Sequence, residues 1–241
     1  MPQSPDEQSW PSPDALAVVV GAKGGVGGAL LARLEQDDRF ARALGLSRSS
    51  PLAIDIEDEA SIASAARAIE ALGLELRLVV DATGFLHGAG FTPEKALNQL
   101  DPARLARAFA VNAIGPALLM KHFLPLLPPR GKAVFATLSA KVGSIGDNRL
   151  GGWYAYRASK AALNQLVRTA AVELRRRRPE AICVALHPGT VATPLSRPFA
   201  VAGLDVRAPA AAAADLLCVI DSLTPAQSGG FFDYRGDALP W

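Results

Sequence analysis

The sequence specifies an α/β fold, a single domain on a doubly wound, mostly parallel seven-stranded sheet with helices on both faces. Three observations predict it. Short, continuous apolar runs recur along the chain, and such runs suit strands buried on both faces. They alternate with segments of helical spacing, which is the order of βαβ units. A glycine-rich turn joins the first apolar run to the first helical segment.

The elements follow in order. Residues 1–13 are polar, acidic and proline-rich and read as a flexible leader; residues 14–241 form the domain. Ala15–Gly21 (ALAVVVG) is the first strand and Ala29–Leu34 the first helix. Leu44–Ser47 and Leu52–Ile56 are two short strands, and Ser61–Leu72 is an alanine-rich helix. Leu76–Asp81 is a buried strand. Leu105–Leu127 is helical, with Pro116 expected to kink or break it. Ala133–Ser139 is a strand, and Ala155–Arg178 a long helix stopped by Pro179. Ala181–His187, Pro209–Ile220 and Gly230–Phe232 close the pattern as strand, helix and strand. The right-handed crossover rule puts helices on both faces.

Composition narrows the function classes. The 241 residues suffice for one well-buried core. With 50% hydrophobic and 20% charged residues, the chain is not a disordered one. Lys+Arg 25 against Asp+Glu 23 leaves +2, too near balance to imply a nucleic-acid partner. Cys183 and Cys218 make no CxxC or Cys/His cluster, so neither a disulfide scaffold nor a metal site is expected. The N-terminus has no basic segment followed by an apolar one, so no secretory signal is read there. Lys23 and Asp215 interrupt the two most apolar stretches, so no membrane span is expected. A cytoplasmic location fits these features.

The first strand ends in Gly21-Ala22-Lys23-Gly24-Gly25-Val26-Gly27-Gly28. Glycines let a backbone approach a pyrophosphate, and a helix N-terminus offers it free N–H groups. The placement between first strand and first helix is what dinucleotide binding needs; alone, the cluster could be a plain turn. Ser47-Arg48-Ser49 after the second strand contains no acid. An acid there binds a ribose 2′-OH, whereas a cation accommodates a 2′-phosphate. Lys23 and Arg48 therefore favour NADP(H) over NAD(H).

Tyr156 and Lys160 lie four apart near the start of the long helix, on one face. A neighbouring ammonium stabilises a phenolate, so the pair can exchange protons near neutrality. Tyr154 lacks such a partner, because residue 158 is Ala. Ser139 ends a strand, at the edge where open α/β sheets bind ligands. Asn112 is a polar residue near Pro116. Alone, Ser139 could be a turn serine and Asn112 a residue that satisfies a kink.

Taken together these residues resemble the short-chain dehydrogenase/reductase family, in its classical branch, from about residue 15 onward. Gly21-x-x-x-Gly25-x-Gly27 is similar to the family's cofactor loop, and Tyr156-x-x-x-Lys160 to its catalytic motif. The stretch from Ser139 to Leu166 is similar to the C-factor-like and carbonyl-reductase-like branch. The resemblance implies a single NAD(P)-binding Rossmann domain that transfers hydride between NADP(H) and a carbonyl/alcohol pair. Asn112, Ser139, Tyr156 and Lys160 would be the catalytic set. Tyr156 would give the proton, Lys160 would lower its pKa and hold the nicotinamide ribose, and Ser139 would orient the carbonyl. Asn112 would anchor a water in a proton relay to Lys160. The cofactor would meet Gly21, Lys23, Gly25, Val26, Gly27, Arg48, Asp55, Ile56, Ala82, Gly84, Tyr156 and Lys160. The segment Pro188, Gly189, Val191 and Thr193 would complete that site. Ser139, Leu150, Trp153 and Tyr156 would meet the substrate, walled by 143–153 and 193–204. Three departures stand out. Asp81-Ala82-Thr83-Gly84 replaces the family's Asn-Asn-Ala-Gly, Val20 replaces the usual Thr, and Gly24 stands where an arginine is frequent. A homodimer or homotetramer through the two long helices is implied by analogy. Two rival readings remain: a non-catalytic dinucleotide-binding signalling protein, and nucleic-acid binding through Arg175–Arg178. The first has no need of all four catalytic-type residues. The second competes with an ordinary cationic helix end.

Overall fold

A computed structural model describes residues 13–88, 90–199 and 205–241. The proposed leader, apart from Pro13, and part of the 193–204 wall lie outside the described residues.

The core is a six-stranded sheet. Its strands are β1 (Ala15–Val20), β2 (Arg42–Leu46), β3 (Glu75–Asp81), β4 (Ala133–Leu138), β5 (Ala181–His187) and, at the far edge, β8 (Phe231–Asp233). The order is β2-β1-β3-β4-β5-β8, with every pairing parallel. Two short strands, β6 (Thr190–Val191) and β7 (Val206–Arg207), pair apart from it. The expected seventh strand, 52–56, does not form, which corrects the strand count. Ala53 makes one isolated bridge to Ser47, and Ile54 buries its side chain from a loop. Apolar content there reflects burial without a ladder.

Strand side chains alternate between faces, and both faces are covered. Leu16, Val18 and Val20 of β1 pack on one layer; Ala15, Ala17 and Val19 pack on the other. The first layer holds α2 (Glu59–Glu70), α4 (Gly115–Phe123) and α5 (Tyr154–Arg177). The second holds α1 (Gly25–Leu34) and α6 (Pro209–Ser222). Each buried Val or Leu of β1 contributes roughly 1.5–3 kcal/mol. Arg77 is the extra residue where the β1–β3 register shifts. Its guanidinium donates to Arg130 O at 2.8 Å and pairs with Glu75 at 2.7 Å, which makes its burial tolerable.

Pro116 does not break its helix. The chain runs through α3 (Pro102–Phe109), a wider π-helical turn (Ala110–Ile114) and α4. The turn ends just before Pro116 and absorbs the missing N–H. This helix, Pro102–Leu126, is long and apolar enough to cross a membrane by composition, contrary to the expectation that no stretch would be. Its Leu119, Met120 and Phe123 are instead buried in the protein core.

The chain leaves β1 for β2 on one side and returns to β3 on the other. Such a reversal opens a crevice at the carboxyl ends of the strands. The site is built there.

Candidate active site

Two adjoining cavities, ≈ 640 and ≈ 410 Å³, open over the ends of β1, β3, β4 and β5. They share Lys23, Gly24, Ala82, Thr83 and Gly84. The result is a two-lobed groove across the reversal point.

The glycine loop forms its floor. Gly21 takes φ +82°, a left-handed turn that glycine adopts without strain. Gly27 is buried beneath the loop, and a Cβ there would overlap the Gly21 carbonyl oxygen. A Cβ at Gly25 would lie 2.7 Å from Thr193 Cγ2. No side chain caps the N-terminus of α1, and no acid lies in its first turn. The first N–H groups of that helix, and the positive end of its dipole, are thus left for an anion. This cradle fits the pyrophosphate of a dinucleotide.

The smaller lobe is lined by Gly21, Arg48, Asp55 and Ile56, with Lys23 at the junction. Arg48 and Lys23 are exposed, and no ion pair joins either to another group among the described residues. Arg107 also lines this lobe and pairs with Glu57.

The larger lobe brings together Val26, Ser139, Trp153, Tyr156, Lys160, Pro188, Gly189, Val191 and Thr193. Ala82 and Gly84 line both lobes. Leu150 is not in the wall: it is 91% exposed and lies outside both linings. Trp153 does form the wall, with its ring 5.1 Å from Phe199 and 6.2 Å from Tyr156. Leu86, Ala140, Leu195 and His87 extend this apolar and aromatic surface.

Helix α5 brings Tyr156 and Lys160 to the larger lobe. Its buried residues include Tyr156, Ser159, Lys160 and Asn164, then Val167, Ala171 and Leu174. The face is polar at the cavity end and apolar beyond it. Burial pushes the Tyr156 phenol up to about 12 and brings Lys160 down to about 8, while the charge of Asp81 opposes the fall. Lys160 Nζ donates to Leu138 O at 2.7 Å and lies 6.0 Å from the Tyr156 ring centre. The Tyr156 pKa is thus raised where a lowering was expected, because burial disfavours the charged phenolate.

Asn112 lies in the π-helical turn and does not line either lobe. Its Oδ1 accepts from Phe85 N, and its Nδ2 donates to Phe85 O, both at 2.8 Å, and to Ser159 Oγ at 3.0 Å. The amide is fully engaged in tying the loop after β3 to α5. Its backbone carbonyl faces a different situation, because residue 116 is proline and has no N–H for the usual i+4 bond.

Sequence reasoning missed three polar groups. Asp81 is fully buried; its carboxylate accepts from Thr83 N, Thr83 Oγ1 and Thr137 Oγ1, joining β3 to β4. Burial raises its pKa, against those bonds. Glu94 is buried at the N-terminus of α5, where Oε2 accepts from Ala155 N. Asn164 bonds Ser139. Two of them left a signal: Asp81 is the acid at the start of the departure from Asn-Asn-Ala-Gly, and Asn164 is a polar residue in helical step with Tyr156 and Lys160.

A family model described as enoyl-(acyl carrier protein) reductase matches residues 27–214. C-signal of Myxococcus xanthus is 42% identical over 148 residues, covering 61% of this chain and 84% of that protein. A 1-hydroxy-2-glutathionyl-2-methyl-3-butene dehydrogenase of Rhodococcus sp. (strain AD45) is 33% identical over 188 residues, 78% of each chain. Among solved structures, an NADPH-bound carbonyl reductase from chicken fatty liver superposes with a TM-score of 0.82. It is 24% identical, with 95% of this chain and 99% of that one covered, and it bears on the fold alone.

Proposed function

The chain belongs to the short-chain dehydrogenase/reductase family, and from that premise we propose that it is an NADP(H)-dependent reductase of small carbonyl compounds. Membership makes it an oxidoreductase of the carbonyl-reductase type that takes a nicotinamide dinucleotide. The finer assignment rests on one observation: Ser139, Tyr156 and Lys160 line one lobe of a groove whose other lobe carries Lys23 and Arg48.

A nicotinamide dinucleotide held in this groove would supply or accept the hydride. The chain supplies the rest. Gly21, Gly25 and Gly27 shape the pyrophosphate cradle at the start of α1, and Gly24 and Val26 complete it. Lys23 and Arg48 neutralise a 2′-phosphate, while Asp55 and Ile56 flank the adenine. Pro188, Gly189, Val191 and Thr193 wall the nicotinamide side.

Ser139 orients the substrate carbonyl. Tyr156 gives its proton to the carbonyl oxygen. Its raised pKa keeps the phenol protonated at neutral pH, the state a donor needs. Lys160 holds the nicotinamide ribose and returns a proton to the phenol. Asn112 positions a water for that return through its backbone carbonyl, since its amide is already bonded. Trp153 excludes water and favours apolar or aromatic substrates. A turnover-free dinucleotide sensor has no use for a buried phenol and lysine beside an open cavity. Exposed Ile114 and Val172, on the two long helices, support a homodimer or homotetramer.

Replacing Tyr156 with Phe tests the reading. Reduction of an aromatic aldehyde by NADPH falls by about 10²–10⁴-fold, the usual worth of a positioned acid. The NADPH dissociation constant stays within about twofold, since the lost hydroxyl is worth under ~0.5 kcal/mol to cofactor binding on this reading. Wild-type-like turnover by the variant refutes the assignment.

A further inference from the structure

Asn164 is bonded to Ser139. It lies on α5 eight residues after Tyr156 and four after Lys160. Each step of four keeps the side chains on one face, about 6 Å apart along the axis. Asn164 is 3% exposed. Its Oδ1 accepts the Ser139 hydroxyl at 2.6 Å. Its Nδ2 is buried with no hydrogen-bond partner. Among the described residues, no other group bonds the Ser139 hydroxyl.

An unpaired buried donor is costly. A leucine here would avoid that cost and continue the apolar face of α5. The retained amide therefore calls for an account. A hydroxyl has one proton and two lone pairs. While that proton is held by Asn164, Ser139 can offer the cavity only lone pairs. A substrate carbonyl oxygen needs the opposite, a donor. A half-turn of the Asn164 amide exchanges its two ends. Nδ2 then donates to Ser139 Oγ, and the serine proton is free to meet the carbonyl oxygen.

We propose that Asn164 is a positioning residue that sets the direction of the Ser139 hydroxyl. Its amide accepts from Ser139 in the arrangement seen here and donates once a carbonyl compound occupies the larger lobe. The free Nδ2 is the group that makes the exchange available. This inference rests on the carbonyl-reductase reading of the same site.

The test is a mutant cycle, read as NADPH-dependent reduction of 4-nitrobenzaldehyde by the full chain. Asn164→Asp keeps the shape but, as a carboxylate, can only accept, so it holds the serine proton away from the substrate. Its kcat falls by about 10²-fold, the scale of losing one oxyanion donor. NADPH binding, followed by fluorescence, is unchanged. In a Ser139→Ala background the same substitution has no further effect on kcat. Asn164→Ala, which buries no charge and releases the hydroxyl, loses less than Asn164→Asp. It also serves the same cycle if the aspartate variant does not fold. Unchanged kcat in Asn164→Asp overturns the proposal. So does a full additional loss in the Ser139→Ala background, which marks a merely structural role. A wild-type protein that binds NADPH but reduces no aldehyde or ketone overturns this inference and the reductase reading together. Active wild type with indifferent Asn164 variants overturns this inference alone.

Discussion

Cofactor choice is the place where a surface charge has a calculable effect. Arg48 lies two residues beyond the end of β2, is exposed, and lines the smaller lobe with Lys23. No acid occupies 47–49 to bind a ribose hydroxyl. A unit charge pair at 4 Å is worth about 1 kcal/mol in bulk water and about 4 kcal/mol at a protein surface of lower effective dielectric. Both cations stand at the mouth of a groove, between these limits. We take ~1.5 kcal/mol for each, which is about tenfold in affinity. Arg48→Ala therefore weakens NADPH by about tenfold and NADH hardly at all, and adding Lys23→Ala brings the NADPH loss to about 10²-fold. Fluorescence titration of both nucleotides measures this directly. On the proposed reading, the expected preference for NADPH narrows as salt rises, because the screening length, about 10 Å at 0.1 M, shortens with added salt. Equal weakening of both nucleotides would show that Arg48 supports the loop and reads no phosphate. A wild-type preference for NADH would refute the argument outright.

Two further outcomes follow from burial. Gly27→Ala puts a methyl against the Gly21 carbonyl and 3.2 Å from Ala82 Cβ, so the loop must shift. Overpacking of this kind costs about 1–3 kcal/mol; both nucleotides weaken together, and the melting temperature drops. His187 is held neutral: burial, with Lys141 assisting and Asp233 opposing, lowers its pKa from 6.5 to about 4. Between those values the unfolded chain binds a proton that the folded one refuses. Stability therefore rises with pH across that window, and below pH 4 the full penalty applies. At 1.36 kcal/mol per unit the penalty is about 3 kcal/mol. Denaturant unfolding at pH 4 and pH 7 should show wild type losing that much more than His187→Asn; parallel losses would contradict it.

The fold was legible where burial on both faces wrote itself into composition. Val18–Val20, Leu78–Val80 and Ile182–Leu186 are apolar without alternation because each sits between two helical layers. The same signal misled at 52–56, where Leu52 and Ile54 fill the core from a loop. A kink or break was expected at Pro116; a π-helical turn placed before the proline keeps the helix continuous. Of the site, Ser139, Tyr156 and Lys160 could be found because their chemistry and spacing are distinctive. Leu150 looked like a wall residue because it is apolar and near Trp153 in sequence; exposure is not written in either fact. Glu94 was hidden because what marks it is contact across the chain, with Ala155, and the departure at Asp81 and the helical step of Asn164 gave no sign of their partners Thr137 and Ser139.

Trp153 has backbone angles φ 51 and ψ 44, the left-handed region, at the residue where α5 begins. It is the one non-glycine with positive φ among the described residues. For a bulky side chain that conformation costs about 1–3 kcal/mol. Glycine would relieve the cost and remove the indole from the cavity wall. The same position thus carries two demands that oppose each other, backbone ease and substrate fit. Selection for heat resistance alone would drift toward the smaller residue and, if the groove takes carbonyl compounds as proposed, loosen discrimination among them. Selection for discrimination would keep the ring and accept a less stable fold.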